Sequence, residues 1–196
     1  MLNIKIMKTL KINSLKTLLN LSLITILLMA CTESNSSTTA TSEADRPDVD
    51  IQAAVMSGNL EAVKQHIEAG TDLNEQEPFS GSTPLITAAT FNKPEIAQAL
   101  IDAGADLSIK NNDGSTALHT AAFFCRVEIV QMLIDANADK TLRNNFGATP
   151  RESVIGPFAD IKPVYEMLEA QLSPLGLQLD MEELEKTRPV VAMMLQ

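Results

Sequence analysis

The chain has 196 residues, of which 20% are charged and 4% aromatic; it holds two Cys, no Trp and a formal net charge of −10. That length suits one domain. The acidity opposes binding to nucleic acid or to an anionic membrane surface, and two cysteines cannot build a disulfide framework.

At the N-terminus, Lys5, Lys8, Lys11 and Lys16 precede an apolar run from Leu18 to Met29 without an acidic residue. A basic stretch leading into a short apolar core predicts a cleaved secretory leader over residues 1–30, too short to span a bilayer comfortably. Met1 and Met7 are both compatible starts, Met7-Lys8 giving the more ordinary basic leader. The run ends in Leu28-Met29-Ala30-Cys31, which resembles the bacterial lipobox. That resemblance implies cleavage before Cys31, acylation of its thiol as a lipid anchor, and attachment to the membrane through that anchor only. Thr32 stands where an Asp commonly marks inner-membrane retention in Gram-negative lipoproteins, so the resemblance implies an outer-membrane lipoprotein facing the periplasm. Residues 31–46 read as the lipidated Cys and a flexible Ser/Thr-rich tether, about 20 Å in root-mean-square span. Loss of the leader removes four lysines, leaving 11 basic and 25 acidic residues, a charge of −14.

From residue 47 one phrase recurs. Thr83-Pro84-Leu85, Thr116-Ala117-Leu118 and Thr149-Pro150-Arg151 begin 33 residues apart. Thr before Pro starts a helix: the hydroxyl caps free N–H groups, and Pro at the first helical position lacks one that would be unpaired. Leu85, Ala88 and Ala89, and then Ile96, Leu100 and Ile101, recur at helical spacing and give one apolar face each. Gly70, Gly104 and Asn137 suit left-handed helix ends. Asn74–Ser82, Lys110–Gly114 and Arg143–Gly147 then form exposed turns. Ala54–Val63 with Gly70–Asn74 forms an earlier unit. A fixed period in the thirties, with faces that no unit can bury alone, predicts a stacked array.

The run Gly114-Ser115-Thr116-Ala117-Leu118-His119-Thr120-Ala121-Ala122 resembles the T-P-L-H-x-A signature of ankyrin repeats. The resemblance implies an all-α solenoid of helix-turn-helix units joined by short hairpin-like turns. It divides residues 47–172 into four repeats, approximately 47–77, 78–110, 111–143 and 144–172. Residues 173–196 follow as a C-terminal capping helix that folds back over the fourth repeat, the alternative being an exposed partner-binding helix; Asp180 and Glu183 start it and Pro189 breaks or restarts it. The fourth repeat is degenerate, with Gly156-Pro157 and Pro163 interrupting its pattern.

No nucleophile motif, phosphate loop or metal-ligand spacing is present, so catalytic residues, metal sites, cofactors and a small-molecule substrate are not expected. His66 reads as a surface residue; the ankyrin resemblance implies a structural hydrogen-bonding role for His119. Cys125 falls in the loop between the two helices of its repeat, where the family usually carries Gly. Asp72, Asp106 and Asp139 recur once per unit, which repeat geometry explains.

The aromatic residues suggest a site. Phe79 and Phe146 fall on turn tips, while Phe91, Phe123 and Phe124 fall at the ends of the first helices of their units. The resemblance implies that these positions contact a protein partner along the turn tips and the concave helix face, with Lys110, Asn112, Asp113, Arg143 and Asn145 as a polar rim. The other reading packs Phe123 and Phe124 under the C-terminal cap. The expectation is a non-catalytic protein-interaction module, tethered by Cys31 and facing a periplasmic partner. The alternative is an inhibitor or immunity protein that blocks a periplasmic toxin or hydrolase.

Overall fold

The computed structural model describes residues 48–196, so the leader, Cys31 and the tether lie outside the described residues. Among the described residues every regular element is helical. Three pairs come first: α1 (Ile51–Ser57) with α2 (Leu60–Glu68), α3 (Pro84–Thr90) with α4 (Pro94–Asp102), and α5 (Ala117–Phe123) with α6 (Val127–Asp135). Two longer helices follow, α7 (Phe158–Leu172) and α8 (Met181–Met194), separated by a 3-10 turn at Ser173–Leu175.

The helix starts are those the sequence announces. Thr83 caps α3 by accepting from Ile86 N, and Pro84 opens the helix. Thr116 and His119 form a reciprocal capping box on α5. Asn137 follows α6 with φ 61°, a conformation that Asn tolerates better than most residues.

Within each pair the helices pack on one another; between pairs, α1, α3 and α5 stack in one row and α2, α4 and α6 in a second. Small residues make the first row close-packed: Ala88, Ala89, Ala121 and Ala122 are completely buried. Ile96, Leu100, Ile129, Val130 and Leu133 fill the space between rows, within one continuous core. Burial of each such aliphatic side chain favours the fold by about 1.5–3 kcal/mol.

The histidines tie neighbouring segments together. His119 Nε2 lies 3.1 Å from the Ala148 carbonyl, and Nδ1 lies 2.9 Å from Thr116 Oγ1. A carbonyl can only accept, so Nε2 donates. Burial disfavours the imidazolium and holds the His119 pKa below its usual value. His66, expected on the surface, is buried: its Nε2 meets the Val49 carbonyl at 2.6 Å and its Nδ1 meets Thr71 Oγ1 at 3.1 Å. It pins the chain entering α1 to the end of α2.

The fourth unit departs from the period. Thr149 and Glu152 do make a capping box, with Thr149 N donating to the Glu152 carboxylate at 2.9 Å and Glu152 N donating to Thr149 Oγ1 at 3.2 Å. Only a short turn follows, because Gly156 precedes Pro157 and a residue before proline is pushed out of the helical region. One period beyond Ile129, Val130 and Leu133 stand Lys162, Pro163 and Glu166, and all three are exposed. α7 therefore cannot serve as the second helix of a repeat. α8 serves instead: it packs on α5 and α6 and sends Val191, Ala192 and Leu195 into the main core. The tail is thus a packing layer of the stack itself, rather than a cover over a completed fourth repeat.

α8 also runs unbroken through Pro189. An interior proline costs about 3 kcal/mol. Burial of Leu184 before it, and of Val191 and Ala192 after it, offsets that cost.

Candidate functional site

The turns between units are hairpin-like. Glu77 N donates to the Ser82 carbonyl, Asn111 N to that of Ser115, and Asn144 N to that of Ala148, each at 3.0 Å. Side chains stiffen each tip. Asn144 Oδ1 accepts from Phe146 N and Ala148 N, and Asn111 Oδ1 accepts from Asp113 N and Ser115 N. In the first turn Glu77 does this work, its carboxylate accepting from Phe79 N at 2.8 Å and also from Ser80. Burial alone would raise the Glu77 pKa, but hydrogen bonds from the Ser80 hydroxyl and from turn amides outweigh it and hold the carboxyl below its usual range.

The tips are then joined to one another. Asn112 N donates to the Ser80 carbonyl at 2.8 Å and its Nδ2 to the Phe79 carbonyl at 2.9 Å. One period on, Asn145 N donates to the Asp113 carbonyl and Nδ2 to the Asn112 carbonyl, both at 2.9 Å. Lys110 Nζ reaches the Arg143 carbonyl at 2.9 Å, and Arg143 pairs with Glu152 at 2.6 Å. The expected polar rim is in large part this ladder: Lys110, Asn112, Arg143 and Asn145 spend their donors on the protein itself. Asp113 is exposed, and its carboxylate makes no hydrogen bond among the described residues. Asp72, Asp106 and Asp139 each accept from the amide two residues on, as turn residues do.

Phe79 and Phe146 stand out from this framework, 92% and 79% exposed. Phe91, Phe123 and Phe124 do not join them. Phe124 is only 6% exposed, and Phe91 and Phe123 are half-buried against the same small core. The rings of Phe123 and Phe124 meet edge to face at 5.1 Å, and Tyr165 of α7 lies 4.7 Å from Phe123. The fully buried Tyr165 hydroxyl donates to the Phe123 carbonyl at 2.6 Å and accepts from Arg188 at 2.9 Å. Burial pushes the phenol up to about 12, so it keeps its proton. The expected aromatic helix face is therefore corrected: α7 of the same chain packs on it. The rest of the first helix row offers little either, since Pro84–Ala89 and Ala117–Ala122 are buried throughout.

Cys125 adopts φ 53°, the backbone region glycine favours, and is half-buried. Burial pushes its thiol up to about 11, which leaves little reactive thiolate near neutral pH. Among the described residues no His, Cys, Asp or Glu group is placed to hold a metal ion, and no helix is long and apolar enough to cross a membrane.

Known proteins share this framework. Residues 51–144 match the family model described as "Ankyrin repeats (3 copies)". Residues 51–144 are ankyrin repeats. Over 63 residues the chain is 42% identical to protein phosphatase 1 regulatory subunit 27 of Homo sapiens and of Mus musculus, a stretch covering 32% of this chain and 40% of each relative. Among solved structures it resembles the ankyrin repeat domain of Bcl-3, described as a unique member of the IkappaB protein family. That match has a TM-score of 0.52 and 28% identity, and covers 61% of this chain and 50% of the other. The fold is an ankyrin-repeat solenoid, and ankyrin repeats form a generally non-catalytic protein-interaction module. The repeat matched by the family model ends at residue 144, short of the turn at Thr149 where the periodic pattern gives way.

Proposed function

We propose that this chain is a non-catalytic binding module that holds a protein partner on the Phe79 and Phe146 turn tips, while a lipid on Cys31 tethers it to the bacterial envelope on the periplasmic side of the outer membrane. The observation that carries the binding surface is the pairing of two nearly bare phenylalanines with a ladder that fixes the backbone beneath them. A preorganised aromatic contact loses little entropy on association, and aromatic rings are common interface anchors. The two mammalian relatives are named as regulatory subunits, which agrees with action through another protein. The tether rests on the lipobox resemblance at Leu28–Cys31, and its membrane side on Thr32.

Affinity capture from envelope extract, with the acylated wild type beside Phe79→Ala/Phe146→Ala, tests the surface. One dominant partner is expected with the wild type. Its affinity should fall by about thirtyfold or more in the double variant, the loss of roughly 2 kcal/mol typical of an interface anchor, with unchanged thermal stability. Equal capture by both proteins refutes the turn-tip site. If binding abolishes the partner's activity, the module is an inhibitor or immunity protein; if activity persists, it is a scaffold. For the anchor, Cys31→Ser is expected to abolish incorporation of radiolabelled palmitate and move the protein from the membrane pellet to the soluble fraction. Continued labelling of that variant would refute acylation at Cys31.

A further inference from the structure

A groove of about 440 Å³ opens at the C-terminal end of the array, between the turn that follows Thr149 and helix α8. It lies apart from the turn tips and does not depend on their role. Val154, Ile155, Phe158 and Met193 give it apolar walls, and Arg151 and Arg188 both line it. Arg188 is 4% exposed, and its one side-chain hydrogen bond among the described residues runs from a terminal guanidinium nitrogen to the Tyr165 hydroxyl at 2.9 Å. Arg151 uses its Nε on the Ala192 carbonyl at 3.2 Å. Among the described residues, no carboxylate comes within 4.0 Å of either guanidinium. Glu185, one turn before Arg188 on α8, also lines the groove without pairing to it.

A guanidinium removed from water without a counter-charge is costly, and a buried arginine ordinarily meets a carboxylate. Here, among the described residues, two arginines share a recess with one carboxylate, Glu185, and pair with none. We infer that the groove binds the free carboxylate end of an apolar peptide. The two arginines meet the carboxylate, and the apolar walls hold the terminal side chains. Glu185 selects further. It can accept a backbone N–H, which a peptide has and a fatty acid lacks. The volume falls near the lower end of small-ligand pockets, suited to a chain end rather than a folded surface.

Titration calorimetry on the full chain, in buffer free of carboxylates, tests the site with N-acetyl-Val-Leu as a free acid and as its C-terminal amide. Saturable one-to-one binding of the acid is expected, at least tenfold tighter than the amide. Arg151→Gln, at a half-buried position that leaves the Arg188–Tyr165 contact intact, should weaken the acid by a similar factor while keeping the helix content. Arg188→Lys, which keeps the charge but loses the planar fork, should weaken it as well. Equal affinity for acid and amide, or unchanged affinity in folded Arg151→Gln, overturns the proposal. Octanoate binding as tightly as the dipeptide overturns the peptide assignment. Absence of saturable binding up to about 10 mM, the range of the weakest specific affinities, overturns the site altogether.

Discussion

Val191→Asp is expected to collapse the array, while Val190→Asp, its immediate neighbour, leaves the melting temperature nearly unchanged. Val191 is completely buried and belongs to the core that contains Ile129, Val130 and Leu133; Val190 is 43% exposed. A carboxylate at 191 would displace Val191 from the apolar core beside Ile129, Val130 and Leu133, a change that costs about 4 kcal/mol or more. A domain with 5–15 kcal/mol of total stability loses much of it in one step. Urea and thermal melts followed by circular dichroism check both variants. The contrast matters because a tail laid loosely over a finished repeat would tolerate both substitutions. A helix that completes the stack tolerates only the second.

Gly114→Ala should destabilise the protein by about 2–4 kcal/mol, and Gly147→Ala by only about 1 kcal/mol, the usual cost of a side chain in the left-handed region. Both glycines have that conformation, with φ 72° and 77°. A Cβ on Gly114 would lie 2.8 Å from the backbone nitrogen of Asn145 and closer still to its side-chain oxygen, whereas a Cβ on Gly147 meets nothing within 4 Å. The clash at 114 therefore pushes apart the two turns that the Asn145 hydrogen bonds join. Hydrogen exchange at the Asn145 amide should rise in Gly114→Ala and stay protected in Gly147→Ala. Equal destabilisation by the two alanines would show that the ladder adds nothing beyond backbone strain.

The repeats were legible because their signals are local. Thr83-Pro84 and Thr116 set the helix starts, the alanine pairs set the close contact, and the 33-residue spacing set the stack. The end of the array was harder to read because the period continued to Thr149 after the apolar pattern had failed. Lys162, Pro163 and Glu166 carry that failure in the sequence, and Leu184, Val191 and Leu195 at helical spacing carry its replacement. The burial of Phe124 had no local sign at all, since it depends on Tyr165 far along the chain. The burial of His66 has no local sign for a similar reason, its partner Val49 lying outside its own helix. The ladder was half visible. Asn112 and Asn145 recur at the repeat spacing, and recurrence at that spacing marks a contact between units more readily than a contact with a partner.

The most direct test of the turn-tip account is photocrosslinking in envelope extract, with p-benzoylphenylalanine replacing Phe79, Phe146 or Phe91 one at a time. One partner band is expected, obtained from positions 79 and 146 and absent from position 91, which packs against the chain's own aromatic core. A partner that crosslinks from position 91 and from neither turn tip would contradict it.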